Sequence, residues 1–278
     1  MLIDLVDRLR CPVCGAGLAS ADRVLRCPTG HCFDIAKQGY VNLLPGDARA
    51  GTADTPEMVR SRVAFLGAGH FSSLASLLAG EIADGLPDGS CVLDAGAGTG
   101  YYLGAVLERA PGSVGLALDI SKFALRRAVR EHPRIGAAVW DLWRPLPVPT
   151  GSINVIMNVF APRNGSEFHR VLRPDGALFV VTPTSRHLGE LVGPLGLLSV
   201  DERKSERMAE TLGERFLQER YDEHEFALRL SHSEVETLVG MGPSAGHIPG
   251  EELSERLTAL PDPMQITASF RISRFGPV

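Results

Sequence analysis

Two clusters of residues in this chain have the types and spacing to do chemistry. The first is Cys11-Pro12-Val13-Cys14, followed by Cys27 and then His31 and Cys32. A Cys-x2-Cys pair turns both thiolates toward one point. A second pair twelve residues on completes the tetrahedral set of a zinc site, with either His31 or Cys32 as the fourth ligand. The second cluster is Val92-Leu93-Asp94-Ala95-Gly96-Ala97-Gly98-Thr99-Gly100. Apolar residues lead into an acid, and glycines then recur at every second position. Such a run reads as a buried strand turning sharply into a helix, with a backbone that a polar or anionic ligand can approach closely. The dinucleotide fingerprint needs a glycine three places after Gly98, and Tyr101 stands there instead.

Composition limits the setting. The 278 residues are 44% hydrophobic and 22% charged, enough for a large domain with a small module attached. No apolar run has the roughly 18 residues of a membrane span. Acids interrupt the first apolar stretch, so it does not read as a secretory signal, and a cytoplasmic protein is expected. Four of the five cysteines fall within the first 32 residues. In a reducing compartment that argues for metal and against disulfides. The formal net charge of −5 splits into +1 over residues 1–62, zero over 63–200 and −6 over 201–278. Any surface for an RNA phosphate backbone should therefore lie in the first two thirds.

The remaining pattern must position the two clusters. Residues 33–45 read as an extended segment leaving the metal knuckle, and 46–55 as a linker. Asp54 or Thr55 can cap a helix opened by Pro56, and a second helix is expected over 73–83. Strands are expected at 90–95, 114–119, 137–139, 153–159 and 177–181, with helices at 101–109, 122–131, 164–171 and 186–192. That alternation predicts right-handed βαβ units around a doubly wound, parallel-rich α/β sheet. Residues 201–226, with Met208, Leu212, Phe216 and Leu217 apolar, read as a solvated flanking helix. Residues 267–272 read as a final strand. The expected domains are 1–45 and 46–278, with 46–89 a helical lead-in to the second.

Three acids then fall at carboxyl ends of strands, where open α/β sheets bind ligands: Asp94, Asp119 and Asp141. Asp119 is placed to accept ribose hydroxyls. The glycine spacing with these acids resembles motif I and its partners in S-adenosylmethionine-dependent class I methyltransferases, which are Rossmann-like. Together with the knuckle, the chain resembles the RlmA-type 23S rRNA (guanine-N1)-methyltransferases, including the branch that confers tylosin and mycinamicin resistance. The likeness rests on Cys11-Pro-x-Cys14, Cys27-Pro-x-x-His31, Gly39-Tyr40-Val41-Asn42-Leu43-Leu44, Ala68-Gly69-His70-Phe71, the Gly96 to Gly100 run, Phe160-Ala161-Pro162 and Thr182-Pro183-x-x-x-His187-Leu188. It spans nearly the whole length.

The resemblance implies zinc on Cys11, Cys14, Cys27 and His31. It implies S-adenosylmethionine contacts at Phe71, Thr99, Gly100 and His187, beside Asp94, Gly96, Gly98, Asp119 and Asp141. Phe71 stands where a tyrosine is expected, so ring packing without a hydroxyl remains. The implied substrate is a guanine in a 23S rRNA hairpin loop, the implied assembly a homodimer, and the implied effect macrolide resistance. No residue identifies itself as the catalytic base. Phe160 is the candidate stacking platform, and Arg23, Arg26 and Lys37 are candidate phosphate contacts. The competing readings are a small-molecule methyltransferase of antibiotic biosynthesis and a non-catalytic zinc-containing RNA-binding protein.

Overall fold

The computed structural model describes residues 2–46, 53–197, 212–242 and 248–278. A 3-10 helix, Leu2–Arg8, precedes a three-stranded antiparallel sheet of β1 (Ala19–Ala21), β2 (Val24–Arg26) and β3 (Cys32–Asp34). After a turn at Gly39, β4 (Tyr40–Asn42) leaves this small sheet and pairs in parallel with the edge of a large one. Helices α1 (Pro56–Gly67) and α2 (Ser72–Ala83) follow. Thr55 caps α1, its Oγ1 accepting from the Met58 N–H at 3.3 Å, with Pro56 at the first helical position.

The alternating region then runs β5 (Cys91–Ala95), α3 (Tyr101–Arg109), β6 (Val114–Asp119), α4 (Lys122–Glu131), β7 (Ile135–Val139), β8 (Ile153–Val159), α5 (Gly165–Val171) and β9 (Leu172–Pro183). Helix α6 (Gly189–Leu195), strand β10 (Phe216–Leu230), helices α7 (His232–Gly240) and α8 (Gly250–Thr258), and strand β11 (Met264–Pro277) complete the described chain. The large sheet has the order β10-β11-β9-β8-β5-β6-β7-β4. Strands β9, β8, β5, β6, β7 and β4 are parallel, and β11 and β10 are antiparallel. The chain reverses direction across the sheet between β5 and β8, so a crevice opens at their carboxyl ends.

Both faces of the sheet are covered. Val92 and Ala117 pack toward Phe65, Leu74, Leu78, Leu103 and Phe270 on one side, whereas Leu93 and Leu116 meet Leu5, Trp140, Phe168 and Val171 on the other. This alternation follows from the period of two in a strand, and burial on both faces is why these strands are nearly all apolar. No single helix among the described residues is long and apolar enough to cross a membrane.

One expected element is corrected. Of the helix read over 201–226, residues 216–226 are the beginning of β10, whereas Leu212 is helical and 213–215 form a turn; Met208 lies outside the described residues. Leu212 and Phe216 are buried, but Leu217 is 66% exposed. Fourteen backbone pairings to β11, from Phe216↔Pro277 to Leu230↔Met264, hold the segment extended. As the edge strand it carries charge on both faces from Glu219 to Glu223, which removes the alternation there; the alternation returns at Phe226, Leu228 and Leu230.

Candidate metal centre and cofactor crevice

The knuckle is built by local backbone bonds. The Cys11 N–H donates to the Ala16 carbonyl at 2.8 Å and the Gly15 N–H to the Cys11 carbonyl at 2.8 Å. On the other arm the Gly30 N–H donates to the Cys27 carbonyl at 3.0 Å, with Gly30 at φ +93°. Only glycine adopts that conformation readily, and the turn brings His31 inward.

One ligand atom from each of Cys11, Cys14, Cys27 and His31 lies within 4.8 Å of the others. The Cys14 and Cys27 sulfurs are 3.7 Å apart, and His31 Nδ1 is 3.5 Å from Cys11 Sγ and 3.3 Å from Cys27 Sγ. A tetrahedron with zinc–sulfur bonds of about 2.3 Å has edges of about 3.7 Å, so the donor set fits that ion in type and size. Cys32 is not in the cluster; its thiol donates to the Gly30 carbonyl at 3.3 Å. Burial pushes the Cys27 thiol up, but hydrogen bonds from Thr29 and His31 outweigh it and bring it down to about 6.

The module sits on the large sheet. The Arg10 N–H donates to the Pro147 carbonyl at 2.9 Å, and Leu2 and Leu5 lie over Gly136 of β7. Arg26 and Lys37 are exposed. Arg23 is exposed too, but its Nη2 donates to the Ala36 carbonyl at 2.8 Å, so its guanidinium already serves the backbone.

At the crevice, Gly96, Gly98 and Gly100 all have positive φ, at +91°, +52° and +79°. A Cβ on Gly96 would lie 2.3 Å from the Ala161 Cβ, and one on Gly100 would lie 2.9 Å from the Ala128 Cα. Among the described residues Gly98 faces only the Arg62 side chain, with Cδ 3.7 Å away. Two glycines are thus needed for packing, and the middle one keeps a surface open.

Asp119 Oδ2 accepts from the Gly98 N–H at 2.8 Å and Oδ1 from the Ser121 N–H at 2.7 Å. The carboxylate therefore ties the loop to the end of β6 and retains lone pairs for hydroxyl donors. Asp94 is 2% exposed, and its Oδ1 has no hydrogen-bond partner among the described residues. Burial, reinforced by the Asp119 charge, pushes its carboxyl well above the usual range. Asp141 Oδ1 accepts from the Trp143 N–H at 3.0 Å. Just past Asp119 a cleft of about 280 Å³ is lined by Asn42, Leu44, Ile120, Lys122 and Val139. Thr99 is buried within the loop.

Phe71 is buried, edge-on to Phe270 at 5.1 Å. His187 lies 4.5 Å from Phe270 and 6.2 Å from Phe71, and burial brings its imidazole down to about 4. Its Nδ1 accepts from the Ser269 N–H at 3.3 Å, which leaves the proton of the neutral ring on Nε2. Phe160, at φ +54° and 40% exposed, stands where β8 ends, 5.4 Å from Phe270 and 6.4 Å from Tyr102.

Sequence reasoning overlooked two anchors. Asn158 is fully buried, and its Nδ2 donates to the carbonyls of Ala95 at 2.7 Å and Pro162 at 2.9 Å, tying β5 to the loop that carries Phe160. Arg62 pairs with Asp54 at 2.8 Å and donates to the Met241 carbonyl at 2.9 Å. An arginine on a helix with charged neighbours carries no local signal of such a role.

Comparison with known proteins gives concordant findings. A family model for the N-terminal zinc ribbon of RlmA matches residues 9–50, and a methyltransferase domain model matches 92–176. The chain is 47% identical to the 23S rRNA (guanine(748)-N(1))-methyltransferase of Streptomyces fradiae, over 99% of both chains. It is 52% identical, again over 99% of both, to a Micromonospora griseorubida protein assigned provisionally as a 23S rRNA (guanine-N1)-methyltransferase. Among solved structures it resembles Haemonchus contortus phosphoethanolamine N-methyltransferase 2 bound to S-adenosyl-L-methionine. There the TM-score is 0.50 and the identity 14%, over 84% of this chain and 61% of that one. That last likeness bears on the fold alone.

Proposed function

The chain belongs to the 23S rRNA (guanine-N1)-methyltransferase family, and on that premise we propose that it methylates N1 of one guanine in a hairpin loop of 23S rRNA. The observation that carries the proposal is near-full-length identity to such enzymes in a chain holding both a Cys3His cluster and a glycine-turn crevice. Bound S-adenosylmethionine supplies an activated methyl electrophile, and bound zinc supplies the folding energy of a module too small to bury a core.

The residues divide the remaining work. Cys11, Cys14, Cys27 and His31 would hold the zinc. The Gly96 to Gly100 turn would receive the cofactor's backbone-facing side, Asp119 its ribose and the Asp141 side its purine. Phe71 and His187 form an apolar wall near the reacting end. His187 does not take the N1 proton: its Nδ1 lone pair already accepts from Ser269, and Nε2 carries the proton. It can donate and orient. Phe160 is held half-exposed at the crevice mouth and offers a face on which an unstacked guanine can lie. Residues 1–45 form the RNA-reading domain, with Arg26 and Lys37 on phosphates, and 46–278 the methyl-transfer domain. A cytoplasmic homodimer completes the reading.

Asp94 gives a prediction with two readouts. Its folded-state pKa is raised above the unfolded value of about 3.9, so ionisation at neutral pH opposes folding. The neutral form favours folding at low pH, and that advantage is lost as pH rises through the folded value. Asp94→Asn is therefore expected to melt higher than the parent at pH 8, by a margin that vanishes toward pH 4. The same variant should bind cofactor more weakly, because the crevice loses its anion for a cationic ligand. Scanning calorimetry and titration calorimetry check the two halves; a lower melting temperature at pH 8 or unchanged affinity contradicts the assignment.

N1 methylation removes a Watson–Crick donor and adds bulk, which can disturb a drug contact in the peptide tunnel. The function is tested by methyl transfer from labelled cofactor to bare 23S rRNA, followed by nucleoside analysis. The product should be 1-methylguanosine, and expression in a sensitive host should raise tolerance to tylosin- or mycinamicin-like macrolides. Label on small molecules alone would overturn the proposal.

A further inference from the structure

Arg62 reaches from α1 over the glycine turn. Its Nη2 is used twice, on Asp54 Oδ2 at 2.8 Å and on the Met241 carbonyl at 2.9 Å. Its Nε is buried and has no hydrogen-bond partner among the described residues. Two further buried polar atoms without partners among the described residues flank the same turn: Asp94 Oδ1 just before it and Tyr102 Oη two residues after Gly100. The hydroxyl of Tyr102 is pushed up chiefly by burial, reinforced by Tyr101 and Asp94 and partly offset by Arg62, so it stays protonated as a donor. Buried polar atoms are nearly always hydrogen-bonded, and orphans of complementary type around one open glycine point to a ligand with complementary charges.

The charges specify which part of a ligand belongs there. Asp54, Asp94 and Asp119 surround the turn and would repel an anion, and Arg62 is the cation that stands against Gly98. An adenosyl ligand with an amino-acid tail has one carboxylate and one ammonium at that end. A ribose or purine has no formal charge. Arg62 is also preorganised: the Asp54 pair and the Met241 carbonyl fix Nη2 and leave the inner edge of the guanidinium directed by its neighbours.

We propose that Arg62 and Tyr102 receive the carboxylate of the cofactor's methionine end, with Asp94 taking its ammonium, so that these residues select adenosyl ligands that carry an amino-acid tail. The assignment rests on the reading that the crevice binds S-adenosylmethionine. It makes Arg62 an anchor for the sulfonium: holding the tail at one end and the ribose at Asp119 leaves the methyl group little freedom between them.

The test is titration calorimetry of the full chain with S-adenosylhomocysteine, which has the tail, and 5′-methylthioadenosine, which lacks it. Arg62→Met should weaken S-adenosylhomocysteine about 10- to 100-fold, the range for a hydrogen bond to a charged group. It should leave methylthioadenosine within about twofold of the parent. Arg62→Lys should recover part of the loss. Tyr102→Phe, which removes only an unpartnered hydroxyl, should cost about 3- to 10-fold on S-adenosylhomocysteine alone. Equal losses on both ligands would show that Arg62 only braces the fold and would overturn the assignment, as would unchanged affinity for S-adenosylhomocysteine in both Arg62→Met and Tyr102→Phe. A parent that binds neither ligand overturns the cofactor reading and this assignment with it.

Discussion

Cys27→Ser is expected to strip the zinc from the protein and abolish rRNA methylation while leaving cofactor binding in place. Strands β1, β2 and β3 have three residues each, and the apolar residues buried among them are few, chiefly Leu18 and Leu25 beside Cys11 and Cys27. Such a module cannot offset its chain entropy by burial alone. A structural zinc contributes on the order of 10–16 kcal/mol of apparent binding energy, which is here the folding energy of the module. The crevice is carried by β5, β6 and β8, one face of which packs against α1, α2 and α3 away from the metal, while on the other face Leu5 shares a cluster with Leu93 and Leu116. Zinc content should fall from one per chain to a small fraction, and transfer to rRNA by at least about 100-fold, in line with that energy. Calorimetric affinity for S-adenosylhomocysteine should change little. His31→Ala should also weaken the metal, whereas Cys32→Ser should keep it, because the Cys32 thiol lies against the Gly30 carbonyl outside the cluster. Full zinc in Cys27→Ser, or loss in Cys32→Ser, would contradict the ligand set.

The second large effect is at Gly98, and the three glycines of the turn separate folding from binding. Alanine at Gly96 would drive its Cβ into Ala161, and alanine at Gly100 into the backbone of Ala128, so both variants should lose structure as well as function. Gly98 differs. Its φ of +52° lies in the left-handed region that aspartate tolerates better than most residues, and the nearest atom to a Cβ is the flexible Arg62 Cδ at 3.7 Å. Gly98→Asp should therefore fold, with a melting temperature within a few degrees of the parent. Its carboxylate would enter the crevice between Asp94 and Asp119 and engage Arg62. Cofactor affinity is expected to fall by more than about 100-fold, the loss for a ligand that meets both a steric plug and a competing ion pair. Parent-like affinity in a folded Gly98→Asp protein would show that the turn does not hold the cofactor.

How much of this was legible in the residues follows from how local each signal is. The zinc set could be read because four ligands on two short turns are a local matter. The choice between His31 and Cys32 needed the Gly30 turn, which directs one inward and the other to a carbonyl. Strands β5, β6 and β8 could be read because burial on both faces leaves a largely apolar run, and α3 and α4 because their termini fall at Gly100 and Ser121. The start of β10 was misread because its first half, charged on both faces, shows no period of two and follows directly on the helical Leu212 and a turn. Arg62 could not be read at all: its contacts are to Asp54, to the glycine turn and to Met241, which is 179 residues away. Asp94 was legible as an acid at a strand end, but its lack of a partner is a property of the assembled fold.

The central claim is methyl transfer to N1 of one rRNA guanine, and reverse transcription of 23S rRNA from expressing cells tests it most directly. N1-methylguanine blocks the Watson–Crick edge that the polymerase must read. A single new stop, at a guanine in a hairpin loop, should appear with the parent gene and vanish with Gly98→Asp. Absence of the stop, or a methyl found on an exocyclic amine or a ribose, would contradict the account.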